Sequence, residues 1–187
     1  MDIWFTSDTH FGHQAIIKHI QRPFQTTQEM DETILQGLNK VLKRTDQLWH
    51  LGDYCWQASK AGHYRQRLNT RQLHIIQGNH DANSLARHCS TFQQMAIKKI
   101  AGTWFHLYHY PLWSWDKMNH GAAHLYGHSH GRSETQLKSI NPTRQAMDIG
   151  IDVSYNLTGQ WRPFHIDEIL TILKERTWQD QSTHQPD

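Results

Sequence analysis

The chain has 187 residues, 37% of them hydrophobic, and a formal net charge of +2: the size of one ordinary domain, with no strong field toward nucleic acid or an anionic membrane. Its two cysteines, Cys55 and Cys89, stand in unrelated contexts, which argues against a disulfide scaffold or a zinc ribbon. The opening "MDIWFTSD" lacks a basic flank and a long apolar stretch, and no run approaches the roughly 20 apolar residues of a membrane span, so a cytoplasmic protein is expected.

Residues 2–6, "DIWFT", predict a short buried strand. Residues 26–43 carry Met30, Ile34, Leu35, Leu38, Val41 and Leu42 at helical spacing, with Thr27 as the expected N-cap. "QLWHL" (47–51) predicts a strand, "KAGHYRQRLNT" (60–70) a helix and "QLHIIQ" (72–77) a strand. This alternation predicts an α/β sheet that is at least partly parallel. Further along, 94–111 predicts two strands turning at Ala101–Gly102, and 123–131 and 146–153 predict two more. Residues 165–176, with Ile166, Ile169, Leu170, Ile172 and Leu173, predict a helix packed on the sheet. A single domain over 1–178 and a polar, disordered tail over 179–187 complete the expected organisation.

Histidine is the outlier, at 16 residues, and its positions follow the strand ends. The first strand runs into "SDTHFGH", the second into "LGD", the third into "QGNHD"; later ones end in "YHY" and "YGHSH". In open α/β sheets ligands bind beyond the carboxyl ends of the strands, where these tips can converge. Gly52, Gly78 and Gly127 permit sharp turns there. Singly, an Asp after a strand is ordinary turn chemistry. Five such tips together point to one shared metal site.

The order D-T-H, G-D, G-N-H-D, H, G-H-S-H, running from Asp8 to His130, closely resembles the calcineurin-like metallophosphoesterases, and "SDTHFGH" resembles a compact bacterial and phage-type branch. The resemblance implies a fold of two packed β-sheets flanked by helices. It also implies a phosphoesterase with two divalent metal ions bridged by a hydroxide. Asp8, His10 and His130 would hold one ion, and Asn79, His109 and His128 the other, with Asp53 shared. His106 competes with His109 for its place, and would face away if its strand is regular. Imidazole and oxygen donors without thiolates suit Mn, with Fe, Zn, Co or Ni as alternatives, better than Mg or Ca. His80 would act on the phosphoryl group and leaving group, with Asp81 orienting its imidazole.

Around that set, His13 either touches substrate or backs a ligand, and His50 is expected to be packed behind the site. Arg132, with Lys117 second, is the expected cation for substrate. Trp113 and Trp115 either stack on a flat group or pack in the core. The expected substrate is a small phosphate ester, nucleotide-like in one reading, with a diester favoured over a monoester. A nuclease is less favoured because no basic stripe or aromatic platform accompanies the motifs. A non-catalytic interaction scaffold is disfavoured by the complete ligand set.

Overall fold

The computed structural model describes residues 1–176, so the expected tail and the last two residues of the expected domain lie outside the described residues. In chain order the elements are β1 (Ile3–Thr6), α1 (Gln14–His19), α2 (Thr27–Val41), β2 (Gln47–His50), α3 (Ala61–Arg67), β3 (Gln72–Ile76), β4 (Thr91–Gln93) and β5 (Met95–Ile100). There follow β6 (Thr103–Tyr108), β7 (Ala123–Tyr126), α4 (Arg132–Ile140), β8 (Ala146–Asp148), α5 (Ile151–Thr158), β9 (Phe164–His165) and α6 (Ile166–Lys174).

Two sheets form. One has the order β4-β3-β2-β1-β9, parallel except for β9; the other runs β5-β6-β7-β8, parallel except for β5. Strand alternation sorts side chains into layers. Leu48, Leu73 and Ile75 face α2 and α3, whose Ile34, Leu38 and Tyr64 complete that core. Phe5, Trp49 and Ile76 point the other way, onto Phe105, Leu107 and Leu125 of the second sheet. A smaller cluster around Trp115 and Tyr126 covers the outer face of the second sheet. The α/β fold with two packed sheets and flanking helices is therefore present.

Three local expectations are corrected. The N-cap of α2 is Thr26, whose hydroxyl accepts from the Glu29 N–H, while Thr27 is already helical. The strand expected over 146–153 stops at Asp148, and Ile151 opens α5. Its apolar pattern suits either period over so short a run, and the Ser154 N–H closes a helical turn onto the Gly150 carbonyl. The strand expected over 123–131 ends at Tyr126, because His128 and His130 adopt left-handed backbone, with φ of 68° and 49°.

Candidate metal centre

The carboxyl ends of β1, β2, β3, β6 and β7 meet at one edge of the sandwich. Beyond the strands, the loops after β1 and β2 stay paired: Asp8 N–H donates to Gly52 O (2.9 Å) and His10 N–H to Asp53 O (2.9 Å). Asp8, His10, Asp53, His128 and His130 all have positive φ, between 49° and 68°. Such backbone costs about 1–3 kcal/mol per residue and persists only where surrounding contacts over-determine it. Here they do. A Cβ on Gly78 would collide with Asp53 Oδ1, and one on Gly127 with Ser7 Oγ and Asp8 Oδ2, so the two loops approach the carboxylates as only glycine allows.

Two groups of donors result, each with ligand atoms within 4.8 Å of one another: Asp8, His10 and His130, and Asp53, His109 and His128. Asn79 joins the second, its Oδ1 lying 3.1 Å from His109 Nε2 and 3.0 Å from His128 Nδ1. Asp53 stands between the groups, with Oδ2 3.5 Å from His10 Nε2 and 3.6 Å from His109 Nε2. Its other oxygen accepts the His80 N–H at 2.9 Å.

These residues fit metal binding. The Nε2 of His10 is buried without a hydrogen-bond partner, an arrangement that is costly unless a cation takes the lone pair. Burial, with the charges of Arg22 and His130, holds this imidazole far below its ordinary pKa, in the neutral form that ligates metal. Burial pushes the Asp8 carboxyl well above its usual range, and a bound cation would restore the anion. The rings are held from behind. His109 Nδ1 donates to Leu51 O (2.7 Å), and His130 Nδ1 donates to Asp152 Oδ2 (2.6 Å), which turns each Nε2 toward the centre. Burial alone would lower the His130 pKa, but the carboxylates of Asp152 and Asp8 outweigh it and raise it.

His106 lies on the outer face of a regular β6, opposite the Phe105 and Leu107 that enter the core, so His109 and not His106 joins the donors. Its carbonyl accepts from His124 Nδ1 at 2.9 Å. His50 is packed behind the first loop, its Nε2 2.9 Å from the Thr9 hydroxyl. Asp81 does not orient His80: its carboxylate accepts the N–H groups of Asp53 (2.7 Å), Tyr54 (2.9 Å) and Gly78 (2.9 Å). With three backbone donors converging on it, Asp81 shapes the turn that presents Asp53, and the expected role is corrected accordingly.

A cleft of about 630 Å³ opens over the donors, and His13, His80 and Arg132 line it. His13 sits 3.3 Å from His10 Nδ1 and stacks on Trp56 with centroids 3.9 Å apart and planes 7° apart, so it backs a ligand and faces the cleft at once. Trp113, Trp115 and Lys117 do not line this cleft. Trp115 is buried and donates to Ala122 O (2.8 Å), Trp113 is 67% exposed, and Lys117 lies over the Trp104 ring.

The sequence reading missed Arg22 and Asp152. Arg22 makes a two-pronged pair with Asp152 (2.8 Å each) and also donates to Asp8 O (2.6 Å) and Thr9 O (3.0 Å), which ties α5 to the first loop. No local pattern around "QRPF" or "GIDV" signals this contact, because it spans 130 positions.

The family model of the calcineurin-like phosphoesterase superfamily domain matches residues 1–144. The chain belongs to that superfamily. It is 28% identical to an uncharacterized protein of Methanocaldococcus jannaschii over 92% of both chains. It is 25% identical to the gene 66 protein of Mycobacterium phage L5, over 80% of this chain and 86% of that one. Its fold is similar to the crystal structure of a protein of unknown function from Aquifex aeolicus, with a TM-score of 0.75 at 23% identity, covering 91% of this chain and 98% of that one. Superfamily membership and the two donor groups together mark a metal-dependent phosphoesterase. Among the described residues no helix is long and apolar enough to cross a membrane.

Proposed function

We propose that this chain hydrolyses a small phosphodiester with two divalent metal ions, manganese first among the candidates. The observation that carries the proposal is Asp53, set between two donor triads on one cleft floor. Asp8, His10 and His130 would hold one ion; His109, His128 and Asn79 the other; Asp53 would serve both. Bound there, such ions would lower the pKa of a water and neutralise phosphoryl charge.

The chain's own groups do the rest. His80 lines the cleft beside His10, with ring centroids 5.4 Å apart, where its imidazole can give a proton to a leaving-group oxygen. Its N–H to Asp53 Oδ1 fixes the backbone from which that ring projects. His13 and Arg132 flank the opening, and a cleft of about 630 Å³ suits a nucleotide-like ester.

A diester is favoured because, among the described residues, Arg132 is the sole Arg or Lys lining the cleft, and its guanidinium donates to His19 O at 3.2 Å. A monoester dianion would ask for more positive charge than that. The alternative, a phosphomonoesterase acting on a small phosphorylated metabolite, rests on Arg132 turning to the substrate. The test is kcat/KM for bis- against mono-nitrophenyl phosphate under one Mn²⁺ loading. The diester should win. A clear preference for the monoester overturns the proposal, and Arg132→Ala should then cost most.

A further inference from the structure

At the opposite end of the parallel sheet, where β2 and β3 begin, lies an open pocket of about 560 Å³. Arg44, Arg65, Arg71, Arg87 and His88 line it, and among the described residues no Asp or Glu does. The sequence hides this cluster: its arginines come from α3 and from the three segments that precede β2, β3 and β4, and the chain as a whole carries a net charge of only +2.

The walls are built and rigid. Arg65 donates to Thr70 O and Arg71 O (2.8 Å each), folding the loop before β3 around its guanidinium. The Asn69 N–H donates to Asn39 Oδ1 (2.8 Å), and its side chain to Asn39 O (3.0 Å), clamping that loop to α2. The Arg71 N–H donates to Arg44 O (3.2 Å), so two arginines are held on adjoining backbone. Among the described residues none of Arg44, Arg65, Arg71 and Arg87 forms an ion pair with a carboxylate. Arg67, close by in sequence, does, with Glu32 at 2.6 Å. Like charges gathered without acidic partners repel, and an anion would relieve that repulsion.

We propose that this pocket binds a small multiply charged phosphate anion of the oligophosphate class. Planar guanidinium groups match phosphate oxygens two at a time, which favours phosphate over a simple halide. Among the described residues the lining offers no Phe, Tyr or Trp on which a base could stack, so the phosphate groups and not a base are the recognised part. The site is separate from the metal centre. The five residues of β3 alone put about 17 Å between its two ends, beyond the reach of one small ester. The proposal therefore stands independently of the reaction assigned to the metal cleft.

The experiment is calorimetric titration of the full, metal-free chain with sodium tripolyphosphate, since bound cations would otherwise compete for this probe. Three proteins are compared: wild type, Arg71→Ala/Arg87→Ala and the cleft variant Arg132→Ala. Arg65 is left intact because it braces the loop. Wild type and Arg132→Ala should bind alike, with affinity falling as salt rises. The double variant should bind about tenfold more weakly or worse, the loss expected for at least one charge-assisted hydrogen bond, while unfolding at the wild-type temperature. Equal affinity in all three proteins, loss of binding in Arg132→Ala alone, or no binding to wild type overturns the proposal. So does tighter binding of a single-stranded oligonucleotide than of tripolyphosphate.

Discussion

Asp8, His10 and His130 are backed by a buried ion pair; Asp53, His109 and His128 are backed by a backbone carbonyl and a carboxylate turned to backbone N–H groups. Behind the first group, Arg22 and Asp152 form a fully buried pair that grips both the His130 ring and the carbonyls of Asp8 and Thr9. Behind the second stand Leu51 O, which holds the His109 ring, and the Asp81 carboxylate, which accepts three backbone N–H groups. His128 of this group is exposed, whereas Asp8 and His10 are buried. The first group is thus the more buried of the two. The second carries the exposed His128, on the cleft that His10 and His130 also line.

Asp53 stands between the two, within 3.6 Å of His10 and of His109, so on the proposed shared role its loss should erase the difference. Asp53→Asn should lower metal content at both groups and reduce turnover by more than about 10³-fold, above the loss from a single electrostatic donor. Elemental analysis of Mn²⁺-loaded protein alongside turnover checks this; full occupancy with full activity would refute the shared role.

Next in size is His80, which lines the cleft and is not among the donors. His80→Ala should keep its metal and lose about 10²–10⁴-fold in kcat, the range for a positioned acid. The loss should shrink for substrates with nitrophenol leaving groups, which need no proton. Equal losses across leaving groups would reduce His80 to a positioning role.

Asp152→Asn should act on the buried group alone. It should weaken metal binding there by about 10–100-fold, as removal of a ligand's hydrogen-bond partner does, and leave the Asp53 group loaded. It also leaves Arg22 buried without its counter-charge, at a cost of about 3–5 kcal/mol in a denaturant titration. Uniform loss at both groups would show that the Arg22–Asp152 pair supports the whole edge of the sandwich.

The smallest effect is expected at Trp56. Its stack on His13 is worth about 0.5–1.5 kcal/mol, so Trp56→Ala should raise KM a few-fold with metal content unchanged. A kcat loss as large as that of His80→Ala would instead move His13 into the chemistry.

The asymmetry also shows why parts of the site were legible and others were not. Asp8, Asp53, Asn79 and His128 follow directly after strands, so short apolar runs ending in Gly, Asp or His mark them in the sequence. Residues that stand behind the ligands leave no such mark. Asp152 sits in "DIGIDV", which suits a strand by local pattern, yet it opens α5 because the turn at Gly150 is tied to the first loop through the Ile151 N–H and Ser7 O. Asp81 is written beside His80, but its carboxylate turns back to the Asp53 loop.

By itself the sequence determined the alternation of strands and helices and the side chains that gather at the strand tips. Those features depend on local periodicity and on backbone chemistry within a few residues. Tertiary structure placed His109, the ligand expected over His106, among the donors and Trp115 in the core, and it alone turned Asp81 to the backbone. It alone brought Arg22 to Asp152 and gathered the arginines at the far end of the sheet. Each of these depends on which loops the sheet order sets side by side, and that order arises from burying both faces of two sheets at once, a constraint no single segment carries.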